Sequence, residues 1–242
     1  MILHTNVTGE GEAMVFLHTD LQTGKTDFQF QQDHFNQTYQ VIAPDLRGHG
    51  NSFSENFNNY FHDSVLDLLE TLESLNISQA HFAGNSLGAL VAILFAQDYP
   101  QYVKSLTISG IIPYKPNQWK KLHHKEVDKQ RQLLRNEASV AYFNQLHNTN
   151  WREIIYLERN ENWYPFAELK FLPAMNVPVL YIAGDRNVHE LSGVTQFSAS
   201  NHFHVAVLPF ASQFTHTDQP ELYTAILEEF ILKYAHSMKE IR

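Results

Sequence analysis

Gly84-Asn85-Ser86-Leu87-Gly88 is the stretch on which the reading of this chain turns. Before it runs Gln79-Ala80-His81-Phe82-Ala83, short and apolar enough for a buried strand. After it comes Ala89-Leu90-Val91-Ala92-Ile93-Leu94-Phe95-Ala96, which reads as a helix packed against a sheet. A sharp strand-to-helix turn forces its central residue into a strained conformation and lifts the side chain above the sheet edge. Side chains at the flanking positions would collide with the adjoining strand and helix, hence the two glycines. The helix N-terminus adds backbone N–H groups suited to developing negative charge. Ser86 is therefore expected to be a positioned nucleophile, or the remnant of one.

The surroundings narrow the function classes. At 242 residues the chain fits one α/β domain, and 43% hydrophobic with 18% charged residues argues for a globular core. The formal charge of −9, with no run of Lys and Arg, makes nucleic acid and an anionic membrane surface unexpected partners. There are no cysteines, which excludes disulfides, a Cys nucleophile and thiolate metal sites and leans towards a reducing cytoplasm. Met1-Ile2-Leu3-His4-Thr5-Asn6 shows no basic region leading into an apolar run, so no secretory leader is expected. The longest apolar run, Ala89 to Ala96, is far short of the roughly 20 residues of a membrane span.

Apolar runs alternate with amphipathic segments, the pattern of a parallel sheet covered on both faces. Expected strands are 13–17, 40–43, 80–83, 105–108, 177–182 and 204–208. Phe61, Val65, Leu68, Leu69, Leu72 and Leu75 share one helical face, and Leu222, Ile226, Phe230, Ile231 and Tyr234 another; both stripes read as core packing. The region from Tyr114 to Phe171 breaks the alternation: it is helix-like, polar and studded with Trp119, Tyr142, Phe143, Trp151, Tyr156, Trp163, Tyr164 and Phe166. Residues 113–171 are accordingly expected to form a helical lid on a core of 1–112 and 172–242. Most of these aromatics are expected to hold the lid together, with two or three facing a pocket.

Taken together, these segments resemble the α/β-hydrolase superfamily, in particular its lidded esterases, lactonases, C–C hydrolases and haloperoxidase-like enzymes. Phe16-Leu17-His18 looks like the family's strand-end motif, and Pro44-Asp45-Leu46-Arg47-Gly48-His49-Gly50-Asn51-Ser52 is similar to its Asp-Leu-Arg-Gly-His-Gly-x-Ser signature. Pro178 to Gly184 looks like the acid-bearing strand. The resemblance implies a mostly parallel sheet flanked by helices and a serine hydrolase acting on a small ester, lactone or related carbonyl compound. It implies no cofactor, and oligomeric state stays open. The Arg47 to Ser52 loop itself reads as structural, a tight turn tied down by Arg47 and His49.

A serine hydroxyl needs a base within reach, and that base needs an acid to orient it. Counting by the family pattern, the acid position falls on Asn187 and the base position on Gln213, both neutral amides. In one reading the triad has shifted, with His216 as base and Asp185 or Glu190 as acid; His216 also matches a companion histidine found in many members. In another, Gln213 and Asn187 keep the hydrogen bonds without charge, and the chain is a non-catalytic ligand-binding protein of the same fold. A third takes Gln213 as an introduced substitution. The oxyanion hole implied by the resemblance uses the N–H groups of Leu87 and Asp20. An ionised Asp20 carboxylate beside it would oppose an oxyanion, so that group is expected to point outward.

Fourteen histidines invite a metal reading. His123 and His124 are adjacent and so diverge on a helix, and no carboxylates accompany His202 and His204. No metal site is expected.

Overall fold

In a computed structural model describing residues 1–197 and 202–237, the apolar runs become a seven-stranded sheet. Its strands are β1 (Thr5–Thr8), β2 (Glu12–Leu17), β3 (Tyr39–Pro44), β4 (Ala80–Asn85), β5 (Val103–Ser109), β6 (Val179–Gly184) and β7 (Phe203–Leu208). They lie in the order β1-β3-β2-β4-β5-β6-β7, parallel except for β1, which pairs antiparallel with β3. β1 is the strand the hydrophobic pattern misses. Its sequence, Thr5-Asn6-Val7-Thr8, offers a single apolar side chain, and the strand forms at the sheet edge by backbone pairing.

Helices cover both faces. Along the chain they are α1 (Gln29–Phe35), α2 (Tyr60–Ser74), α3 (Leu87–Asp98), α4 (Trp119–Arg135), α5 (Glu137–Leu146), α6 (Arg152–Glu158), α7 (Phe166–Leu169), α8 (Val188–Phe197), α9 (Thr215–Asp218) and α10 (Pro220–Ser237). The α3 helix is buried from Leu87 to Ile93 and again at Phe95 and Ala96. A helix apolar all round must sit inside, and each large side chain so buried contributes about 1.5–3 kcal/mol. On α2, Val65, Leu68 and Leu72 are buried, while Phe61, Leu69 and Leu75 pack against them from the rim. On α10, Phe230 and Ile231 point inward as the spacing predicts, but Leu222 is 45% exposed and Tyr223 takes the inward position. The helix begins at Pro220, and its first turn sets Leu222 on the outer face.

Four helices, α4 to α7, occupy the connection between β5 and β6. This segment is pinned to the core by polar contacts: His147 Nδ1 accepts from the Gly50 N–H at 2.9 Å, and Thr149 Oγ1 accepts from the Ser54 N–H at 3.1 Å. The loop after β3 is in turn tied to α2, where Arg47 Nε and Nη2 donate to the two oxygens of buried Asp67 at 2.7 and 2.9 Å. That fork-to-fork geometry explains why Arg47 belongs to the scaffold. Residues 198–201 and 238–242 of the expected core unit lie outside the described residues.

Candidate active site

Central placement of β4 brings its carboxyl end to the middle of the sheet, where the chain turns into α3. Ser86, at that turn, has φ 51° and ψ −118°, a region that side chains rarely occupy. The strain persists because the surroundings leave no alternative: a Cβ on Gly84 would strike the backbone of Gly88, and one on Gly88 would strike the Leu17 carbonyl. The Ser86 N–H is spent on the Ser109 carbonyl at 3.0 Å. Leu87, the first residue of α3, carries one of the N–H groups that a helix leaves unsatisfied at its start.

The polar group on the Ser86 hydroxyl is a carboxylate. Ser86 Oγ donates to Asp20 Oδ1 at 3.2 Å, so the Asp20 side chain points inward, contrary to the outward orientation expected from the sequence. Burial raises the Asp20 carboxyl above its ordinary range, against the lowering effect of hydrogen bonds from Ser86 and from Asp20's own backbone N–H. The neighbouring Thr19 N–H is taken by Asp27 Oδ2 at 2.8 Å.

His216 does not meet Ser86. Its Nε2 is paired with Asp27 Oδ1 at 2.6 Å and its ring stacks on Phe28, centroids 4.1 Å apart. The imidazole is buried there and lines none of the cavity that Ser86 opens into. Burial disfavours charge on Asp27, yet the hydrogen bond and charge of His216 hold its carboxyl down to about 2. Asp185 is exposed in the turn after β6, and it too is absent from the cavity wall. A shifted triad of Ser86, His216 and Asp185 is therefore not assembled in this geometry. The physical reason is Asp27, a buried carboxylate on the loop after β2 that captures the imidazole first. No spacing rule pointed to it, because its partner lies 189 positions away in sequence.

The two amides behave differently from one another. Asn187 and Gln213 both line the Ser86 cavity. Asn187 Nδ2 donates to Glu190 Oε1 at 2.7 Å, while the Gln213 backbone carbonyl accepts from Asn85 Nδ2 at 2.9 Å. Glu190 is buried, and burial pushes its carboxyl up to about 8 despite favourable contacts from the Gly184 backbone and Asn187. The folded protein thus holds a proton that the unfolded chain releases at ordinary carboxyl values, and stability falls as pH rises from about 4.5 to about 8. Glu190→Gln is expected to remove that slope. Urea unfolding of both proteins at pH 5 and pH 9 should show the variant gaining on the order of 3 kcal/mol at the higher pH.

The cavity encloses about 270 Å³, walled by β-strand ends on one side and by Trp119, Glu158, Trp163 and Tyr164 of the inserted segment on the other. A larger groove of about 650 Å³ lies between α2, α3 and the stretch Glu161 to Lys170, and neither Ser86 nor Asp20 reaches it. The other aromatics of the segment serve packing or solvent: Trp151 is buried with Leu21 and Ile155, and Tyr142 and Tyr156 are exposed. Of the histidines considered for metal, His123 Nε2 bonds to the Glu158 carbonyl at 2.8 Å and His204 Nε2 pairs with the Tyr234 hydroxyl at 2.6 Å. No helix among the described residues is long and apolar enough to cross a membrane.

Comparison with known proteins agrees with this architecture. The mouse serine hydrolase BPHL is 28% identical over 147 residues, 58% of this chain and 50% of that protein. A 2-hydroxy-6-oxononadienedioate/2-hydroxy-6-oxononatrienedioate hydrolase of Burkholderia vietnamiensis is 38% identical over 113 residues, 45% of this chain and 39% of that one. The chain thus aligns with half or less of the length of these curated relatives. Among solved structures, NosK from Streptomyces actuosus superposes with a TM-score of 0.80 at 23% identity, covering 93% of this chain and all of that one, a likeness of fold. The model of the alpha/beta hydrolase fold matches residues 12–154, which span β2 through α6 and include the elbow, and the chain belongs to that family.

Proposed function

We propose that this protein is a serine hydrolase of small ester, lactone or related carbonyl substrates in which Asp20 takes the place of the missing imidazole. The observation that carries the reading is the hydrogen bond from Ser86 Oγ to the half-buried Asp20 carboxylate. Ser86 Oγ attacks the carbonyl carbon, and its proton passes to Asp20 as the C–O bond forms. Collapse of the tetrahedral adduct expels the leaving group, which takes that proton. Water then attacks the acyl-serine, giving its proton to Asp20, and release of the acid restores both residues. The Leu87 N–H, left without an intrahelical partner at the start of α3, is the donor assigned to the developing oxyanion on this reading. A carboxyl raised by burial is a stronger base than one in water, which suits the task. The names of the matched relatives, a serine hydrolase and a dienedioate hydrolase, support hydrolysis as the reaction class.

On this reading α4 to α7 form a lid that shields the site from water, and the partner is a small molecule rather than nucleic acid or membrane. The cysteine-free composition supports a reducing cytoplasm as the location on this reading. A fluorophosphonate probe tests the assignment: the native protein is expected to label at Ser86, and Ser86→Ala to remain unlabelled. Labelling of the native chain no faster than that of Ser86→Ala would sink the hydrolase reading.

One observation favours the competing reading of a ligand-binding protein: the buried His216 imidazole is locked to Asp27, and Gln213 stands where the family has its base. Gln213→His separates the two. If the amide merely occupies the place of a lost base, ester turnover should rise by about 10²-fold or more. If Asp20 already serves, the added imidazole should change turnover little.

A further inference from the structure

We infer that the groove between α2, α3 and the Glu161 to Lys170 stretch seats the hydrocarbon tail of a substrate whose carbonyl lies at Ser86. The side chain that tail must pass is the Trp163 indole; this rests on the serine-hydrolase reading for the reaction but not for the binding. The two spaces share a wall, since Trp163 and Tyr164 line both the Ser86 cavity and the groove. The cavity, at about 270 Å³, is smaller than the roughly 300–1,000 Å³ of pockets that enclose a whole ligand. The groove, at about 650 Å³, has room for the remainder.

The deeper lining of the groove is apolar: Val65 is buried, and Phe61, Leu94 and Phe166 are half-buried. Two half-buried polar residues accompany them, Glu161 and Gln97, and Gln97 Nε2 is spent on the Glu168 carbonyl at 3.1 Å. The charged residues Asp98, Lys115, Glu168 and Lys170, like His62, are exposed. With both signs present at the rim the groove favours neither an anion nor a cation, and what it selects for is apolar length.

Of the three aromatic side chains that bound the Ser86 cavity, two are fastened. Trp119 Nε1 donates to the Glu161 carbonyl at 2.9 Å, and Tyr164 Oη accepts from the Ile112 N–H at 2.8 Å. Trp163, half-buried in the connection between α6 and α7, is held among the described residues by ring packing: it stacks on Phe61, centroids 6.1 Å apart, and stands edge-on to Tyr164 at 5.4 Å. Turning this indole forfeits packing only, whereas displacing Trp119 or Tyr164 also breaks a hydrogen bond. The passage between the two spaces therefore lies at Trp163.

The test uses the whole chain. Ser86→Ala protein is titrated calorimetrically with 2-hexanone and 2-nonanone, neutral carbonyl compounds that differ only in chain length. The longer ketone is expected to bind at least about tenfold tighter. Ala167→Trp, at an exposed position of α7 on the groove, sets a ring in the tail's path and should cut that preference to below about threefold. Equal affinities, no measurable binding of the longer ketone, or a preference that Ala167→Trp leaves intact overturns the groove as the tail's seat. A second measurement compares butyl and octyl fluorophosphonates on the native chain and on Trp163→Ala. The octyl-to-butyl ratio of labelling rates should rise by about threefold or more in the variant, and an unchanged or lower ratio overturns Trp163 as the gate. No labelling by either probe, with the ketone preference and its loss in Ala167→Trp intact, overturns the hydrolase and leaves the groove standing. Labelling by both probes without a ketone preference does the reverse.

Discussion

Asp20→Asn is expected to slow acylation of Ser86 by about 10²- to 10⁴-fold, the range for loss of a positioned general base. The two side chains are nearly the same shape, so the variant should keep the elbow and the hydrogen bond at Oδ1 while losing the ability to accept a proton. The geometry sets the sign of the effect. Were the Asp20 carboxylate to act chiefly as a negative charge opposing the oxyanion, neutralising it would speed acylation instead. The half-buried carboxyl titrates above its ordinary range, so the native labelling rate should climb as pH rises through that elevated value. In Asp20→Asn the climb should disappear. Fluorophosphonate labelling rates between pH 4 and pH 9, with thermal melts to show both proteins folded, check magnitude and sign together. A variant that labels as fast as the native chain would remove Asp20 from the mechanism.

His216→Ala is expected to destabilise the fold by about 3–5 kcal/mol, since it leaves the Asp27 carboxylate buried without its partner. Few other single changes here should cost as much. The imidazole also fills space against Phe28 and Tyr223, and Gln31 Nε2 anchors its backbone carbonyl at 3.0 Å. Through this cluster the loop after β2, which carries Asp20, is clamped to the turn after β7. The pH dependence follows from Asp27. Its carboxyl is depressed to about 2 in the folded protein, so the stabilisation is whole above about pH 4 and is lost as pH falls towards 2. The drop from 3.8 to about 2 corresponds to roughly 2 kcal/mol of the native stability. Urea unfolding at pH 7 and pH 3 should show the native protein weakening more than His216→Ala over that interval. At pH 7, labelling of Ser86 per folded molecule should survive the substitution. Its abolition would mean that the imidazole leaves Asp27 during the reaction and serves as the base after all.

How far the sequence reaches is clear from individual residues. Ser86, its glycines and the apolar helix behind it were legible because the elbow is made by neighbours in the chain, and steric rules for a tight turn are local. Strands 80–83 and 177–182 were legible as apolar runs, whereas Thr5–Thr8 was not, because an edge strand bound by backbone pairing needs no hydrophobic signature. Asn187 and Gln213 were readable as departures from a pattern. The partners that matter were not. Asp27 reaches His216 from 189 residues away, and Asp20 reaches Ser86 from 66.

What the amino-acid order by itself determined, then, was the sheet-and-helix class, the strained turn and the residue mounted on it. The tertiary structure decided which titrating groups face that residue: an imidazole drawn off by one aspartate, a second aspartate turned inward, and acids from the inserted helices set across the cavity. Backbone conformation and hydrophobic periodicity act over a few residues and can be read along the chain. A hydrogen bond acts over about 3 Å in space, and which side chains fold brings within that reach is written in no stretch of sequence.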